Sequence, residues 1–357
     1  MALRSGLIII IDGCREDYIS RQLMPFLYHL KNGGSYARLD VTSSFYTLAE
    51  ISTGNSPLTT DTSFDFCFDP GNSPFRFLRF IKLPLRLRYG SATREKVWHR
   101  LLCLAYSKLS GNWVDFPANI PLPLLGYFRV NPSLIRFQRA ERNGSRETLP
   151  GILREYGFSL SSVSGPTPSI TRRVRQEHLS PGHVLMLHYQ EVDKLGHQYG
   201  PNSEEVRGSL RRVDSSIEEV LGGVGRQADF VMVFGDHNME EVTQHIDLWQ
   251  GLGRLSVRVP RDYVLFLNSP VARFWFNSER ARREVREFLQ GWSQYGREVT
   301  EGELRQRQLP SGRKYGELVF WLKKGVAITP DFYHEYPIKG MHFYFDCLLY
   351  TSPSPRD

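Results

Sequence analysis

"GLIIIIDG", Gly6 to Gly13, decides the fold. Its apolar run is β-branched and does not alternate with polar residues. A strand with one wet face would alternate, so this one is expected to be covered on both faces, as strands of parallel sheets are. Asp12-Gly13 then reads as the loop that ends it.

The same texture recurs in "HVLMLHYQ" (183–190) and "ADFVMVFGDHN" (228–238), both read as buried strands. Helical spacing appears in "SRQLMPFLYHLKNGG" (20–34), which has a Gly-Gly stop, and in "SEEVRGSLRRVDSSIEEVLGGVG" (203–225). "YARLDVT" reads as a short strand, and "SFYTLAEISTGNSP" as a helix from near Ser44 to Gly54. "DYVLFLN", "VARFWFN", "GELVFWLKKG" and "VAITP" read as late strands, with the helix "SERARREVREFLQGW" among them. Strand-helix alternation implies an α/β fold: a doubly wound, mainly parallel sheet with helices on both faces. From about 61 to 147, aromatics, prolines and arginines replace that rhythm, around one helix, "TREKVWHRLLCLAYSKL". The expected division is a metal-binding core at 1–60 and 148–346 with an inserted cap at 61–147. The closing "CLLYTSPSPRD" (347–357) reads as a non-native tail.

The 357 residues are 41% hydrophobic and 13% aromatic, with a net charge of +7. That composition suits a globular core and anionic partners. The four cysteines form no C-x-x-C pair, so no disulfide framework is required. No apolar stretch reaches spanning length, and the expected location is cytoplasmic.

Three apolar strands lead into candidate ligands. The first ends at Asp12, the second runs into Asp193 and His197, and the third ends in Asp236 and His237. His342 follows in "KGMHFYFD". Each has a plainer reading as turn residue, surface i,i+4 pair or polar loop. Parallel neighbouring strands would instead bring all six to one edge. Asp and His together suit zinc or a similar divalent ion, and six ligands suit two ions. "TSSFYTLAEISTG" offers hydroxyls at a helix start as nucleophiles. His183 and His188 are read as structural.

In this order the motifs resemble the alkaline phosphatase superfamily, in its nucleotide pyrophosphatase/phosphodiesterase branch. The resemblance covers the chain to about Pro57 and again from about Leu149 to Met341. It implies two divalent metals, zinc or manganese: one held by Asp12, Asp236 and His237 together with Ser44, the other by Asp193, His197 and His342. It implies Ser44, nine residues before the Thr53 of Thr-Gly, as nucleophile, and Thr47 as a hydrogen-bonding partner of the phosphoryl group where the branch carries asparagine. Sulfatases place Pro and Arg after their modified residue, whereas Ser44 is followed by "FYTL". The implied activity is metal-dependent hydrolysis of a phosphodiester or pyrophosphate through a phosphoseryl intermediate. Phosphomonoesterase, phosphomutase, sulfatase and a non-catalytic anion-binding protein are the alternatives. The expected partner is a small phosphate ester, nucleotide or lipid head group, with no specific nucleic acid and with membrane contact through the cap.

Overall fold

The computed structural model describes residues 4–37, 46–81, 85, 93–110, 119–334 and 336–342. Its central sheet holds β1 (Gly6–Ile11), β2 (Ser159–Gly165), β3 (His183–Tyr189) and β4 (Phe230–Gly235), all parallel, in the order β2-β3-β1-β4. β1 is interior, as its unbroken apolar run requires. Leu7, Ile9 and Ile11 point to one face with Leu185 and Leu187, against Val206, Leu210, Val213 and Ile217 of α5 (Glu204–Gly222). Each such fully buried side chain contributes about 1.5–3 kcal/mol. Ile10 and Met186 point the other way, across a 660 Å³ cavity, to Leu48 and Ile51 of α2 (Thr47–Thr53) and to Leu149. Helices therefore flank both faces. The buried Asp214 of α5 accepts from the Phe26 and Leu27 amides at 2.9 Å, satisfying the first turn of α1 (Pro25–Gly33).

β4 departs from its sequence reading. Among the described residues it pairs only with β1, and Phe230, Val231 and Met232 are exposed. The expected strand at 36–42 lies largely outside the described residues.

Of the late strands, Val326–Ile328 pairs parallel with Gln244–Ile246, but the others do not join the parallel sheet. β5 (Tyr263–Leu267), β6 (Val271–Phe276), β7 (Gly296–Val299) and β8 (Leu318–Leu322) form a separate antiparallel sheet in the order β7-β8-β6-β5. Only the turn Asn268–Pro270 joins β5 to β6. A connection that short closes a hairpin, whereas a parallel crossover needs a dozen residues or more. The region expected as a cap packs on this sheet. Phe66–Phe68 pairs with Phe128–Val130, and Phe68 stacks on Trp275 with ring centroids 5.0 Å apart. Phe66, Leu78, Leu124 and Phe128 share one apolar core with Phe266, Phe274 and Trp275.

Candidate metal centre

Carboxylates and imidazoles gather beyond the carboxyl ends of the parallel strands, where open α/β sheets carry their sites. Asp12 follows β1, and Asp236 and His237 follow β4. The Gly13 amide, at φ +70°, donates to Asp236 Oδ1 at 3.1 Å and ties the two strand ends together. Asp193 and His197 lie one turn apart on α4 (Glu191–Tyr199), which follows β3. His342 arrives from far along the chain by a two-residue clip, in which Gly340–Met341 pairs antiparallel with Glu240–Glu241. The approach is close enough to exclude side chains: a Cβ on Gly340 would meet the Gly196 carbonyl oxygen at 2.4 Å, and one on Gly196 would meet Met239 Sδ at 2.1 Å.

Two trios result, Asp12/Asp236/His237 and Asp193/His197/His342, each with one ligand atom per residue, all within 4.8 Å of one another. His237 Nε2 lies 2.9 Å from Asp12 Oδ1, and His342 Nε2 lies 2.7 Å from Asp193 Oδ1. The trios adjoin: His237 Nε2 is 3.9 Å from Asp193 Oδ1, and the His237 and His342 rings are 3.8 Å apart.

Two observations test whether this donor set fits cations. The first is the tautomers that the hydrogen bonds imply. His197 Nδ1 lies 2.8 Å from the Gly340 carbonyl oxygen and His237 Nδ1 lies 3.2 Å from that of Asn238. A carbonyl accepts only, so each Nδ1 carries a proton and each Nε2 faces inward, the orientation seen in metal-ligating histidines. On His237 burial disfavours the charged ring, but the Asp12 carboxylate holds a second proton at Nε2, raising it to about 9, and a cation would have to displace that proton. The second is crowding of charge. Burial, reinforced by the Asp12 charge, pushes Asp236 above the usual carboxylate range. Burial would raise Asp12 too, but hydrogen bonds with His188 and His237 hold it well below. Burial and the neighbouring His237 charge push His342 down, leaving a neutral imidazole. Mixed oxygen and nitrogen donors, with carboxylates that repel one another, fit a pair of zinc-like divalent ions.

The structure thus brings together Asp12, Asp193, His197, Asp236, His237 and His342. Thr47 opens α2. Ser44 lies outside the described residues. His188 was read from the sequence as structural, but register with Ile10 puts its Nε2 3.2 Å from Asp12 Oδ2. A histidine inside an apolar strand, one residue from its end, was the available signal. His183, at the other end of that strand, pairs with Ser161 at 2.8 Å. A further group was passed over. The buried Asp331 lies 2.8 Å from His334 Nδ1 and accepts from Ser269 at 2.5 Å, and the His334 ring is 5.6 Å from that of His197.

A parallel sheet whose rim gathers Asp and His is the arrangement expected of the alkaline phosphatase superfamily. Residues 141–345 match the type I phosphodiesterase / nucleotide pyrophosphatase family, and the chain belongs to that family. It is similar to GPI ethanolamine phosphate transferase 2 of Debaryomyces hansenii, with 33% identity over 89 residues, 25% of this chain and 10% of that protein. It is also similar to the Schizosaccharomyces pombe protein of the same name, with 30% identity over 128 residues, 32% of this chain and 17% of that protein. The matches thus span less than a fifth of the length of either relative. Among solved structures, murine ectonucleotide pyrophosphatase / phosphodiesterase 5 aligns at a TM-score of 0.63 and 15% identity, over 97% of this chain and 85% of that one. At that identity the likeness shows the fold.

Proposed function

We propose that this protein cleaves phosphodiesters in two in-line steps at the rim of its parallel sheet. The carrying observation is the pair of adjoining Asp/His trios. Divalent cations held there, one by Asp12, Asp236 and His237 and one by Asp193, His197 and His342, would clamp the attacking and leaving oxygens and neutralise the charge that develops on the phosphoryl group. The Ser44 hydroxyl attacks phosphorus, a phosphoseryl ester forms and an alcohol leaves. Attack by a second hydroxyl then frees Ser44. The Thr47 hydroxyl donates a hydrogen bond to the phosphoryl oxygen. Gly340 and Asn238 carbonyls hold the imidazoles of His197 and His237 in register.

Whether the second hydroxyl is water or an alcohol separates hydrolysis from transfer. Transfer is favoured by the similarity to proteins named GPI ethanolamine phosphate transferase 2. On that reading the substrate is lipid-linked. Among the described residues, no helix is long and apolar enough to cross a membrane.

The test compares the zinc-loaded protein on a bis-nitrophenyl diester, a nitrophenyl monoester and a nitrophenyl sulfate. Diester turnover should dominate, and added glycerol should divert phosphoryl groups to a glycerol ester if the enzyme is a transferase. Sulfate or monoester turnover exceeding that of the diester contradicts the reading.

A further inference from the structure

A 610 Å³ cleft opens between α3 (Thr167–Val174) and α5, on the face of the sheet away from α2. Thr167, Thr171 and Arg175 recur every fourth residue through α3 and its C-cap, and Arg211, Ser215 and Glu219 do so on α5. Two matching helix faces therefore line it. Arg172 and Arg212 complete the walls, and no residue of the metal trios takes part.

The charges in the cleft do not balance. Arg175 donates from Nε to Glu219 Oε1 at 2.6 Å, and Arg212 donates from Nε to Glu191 Oε1 at 3.1 Å. Arg172 and Arg211 have no ion-pair partner within 4.0 Å among the described residues. Four guanidiniums thus meet two carboxylates, and two positive charges remain in one concavity. Like charges held together repel, and a concave wall of one sign focuses the field that draws in an anion. The wall also holds an unmatched hydroxyl. Thr167 is 5% exposed, and its Oγ1 has no hydrogen-bond partner. Buried polar groups are nearly always satisfied, so this donor points to a missing ligand acceptor. Beside it the floor is fixed, since the buried Ser216 hydroxyl is bonded to those of Thr171 at 2.7 Å and Tyr189 at 2.9 Å.

Two uncompensated guanidiniums match a phosphate monoester dianion in charge, and their planar forks match its oxygens. The excess is confined to the concavity: outside it, Arg173 and Arg207 face Glu177 and Glu204 at 3.6 Å. Neither helix exposes a large hydrophobic side chain to anchor in a bilayer. A flat anionic surface would find little to hold, whereas a small dianion can enter.

We propose that this cleft is a second, non-catalytic site that binds a soluble phosphate monoester dianion through Arg172 and Arg211, with the Thr167 hydroxyl as a further donor. The inference goes beyond the phosphodiester reading and does not depend on it, because the cleft and the trios share no residue.

The test reads the two arginines directly. Zinc-loaded protein is treated with phenylglyoxal, which modifies accessible guanidiniums, with and without ethylphosphonate, a dianion that resists hydrolysis. Peptide mass mapping then follows each arginine. The dianion should slow modification of Arg172 and Arg211 by about 10-fold or more and leave that of the exposed Arg283 unchanged. The monomethyl ester of ethylphosphonate, a monoanion, should need about 10-fold higher concentration for the same protection. In Arg172→Gln, half-protection of Arg211 should require about 10-fold more dianion, and in Thr167→Val several-fold more. Unchanged rates at both arginines of the wild type, or equal protection by the two phosphonates, overturn the proposal. Protection by phosphatidic acid vesicles but not by the free dianion also overturns it and assigns the arginines to a membrane surface. The wild-type rates require no variant to fold.

Discussion

The rim of the parallel sheet and the aromatic body around the antiparallel sheet are built on opposite terms. At the rim, three carboxylates and three imidazoles crowd together, and burial with like charge pushes Asp236 out of its usual range. In the body, Phe66, Phe128, Phe266 and Trp275 pack with ring centroids 5.0–5.8 Å apart in one apolar cluster, and the buried Arg273 guanidinium lies over the Phe266 and Trp275 rings. Buried unpaired charge costs free energy and buried hydrocarbon returns it. The aromatic body thus stabilises a molecule whose rim is arranged for chemistry.

Substitutions should separate the two. The largest effect falls on the rim: Ser44→Ala should lower diester turnover on the order of 10⁴-fold or more. Its melting temperature and metal content should stay near wild type, and full activity would remove Ser44 from the mechanism. Next, Phe266→Ala in the body should cost about 3–5 kcal/mol in urea unfolding. Turnover per folded molecule should be preserved at low temperature, and a loss of turnover without a loss of stability would erase the contrast.

Where rim and body meet, Asp61 and Asp65 are four residues apart and titrate with opposite sign. Asp65 is raised, by burial, to about 6. Its folded form binds a proton more tightly than the unfolded chain, so its ionisation weakens folding as pH rises from about 4 to 7. Ligand-free Asp65→Asn should gain on the order of 1–2 kcal/mol relative to wild type over that window. No relative change would show that Arg273 fully offsets the charge. Asp61 is lowered: burial would raise it, but Lys314, Tyr315 and Ser133 outweigh burial. Its contribution is present above its unfolded pKa and is lost as pH falls through the folded one. Asp61→Asn should cost about 1 kcal/mol at pH 7, since the carboxylate is a third exposed. The difference should vanish in acid.

The same contrast explains what could be read before the structure. The Ile8–Ile11 run, with Asp12-Gly13 at its end, announces a two-faced buried strand and a ligand at its tip. Asp193 and His197 at i,i+4 announce one face of a helix. The chemistry of the rim was therefore visible as pieces. Their meeting was not, because His342 is placed by a clip of two residues per strand, too short for any pattern. His188 was hidden in an apolar strand, where a polar residue reads as incidental. The late strands were read only as strands within a mainly parallel fold, because an apolar run does not disclose its direction, and the three-residue Asn268–Pro270 turn carried that information instead.

The most direct test of the paired trios is metal analysis of the zinc-equilibrated protein. Two ions per chain are expected for the wild type, one for Asp12→Asn/Asp236→Asn and one for His197→Ala/His342→Ala. Fewer than two ions in the wild type, or a content unchanged in both double variants, would contradict a two-cation site.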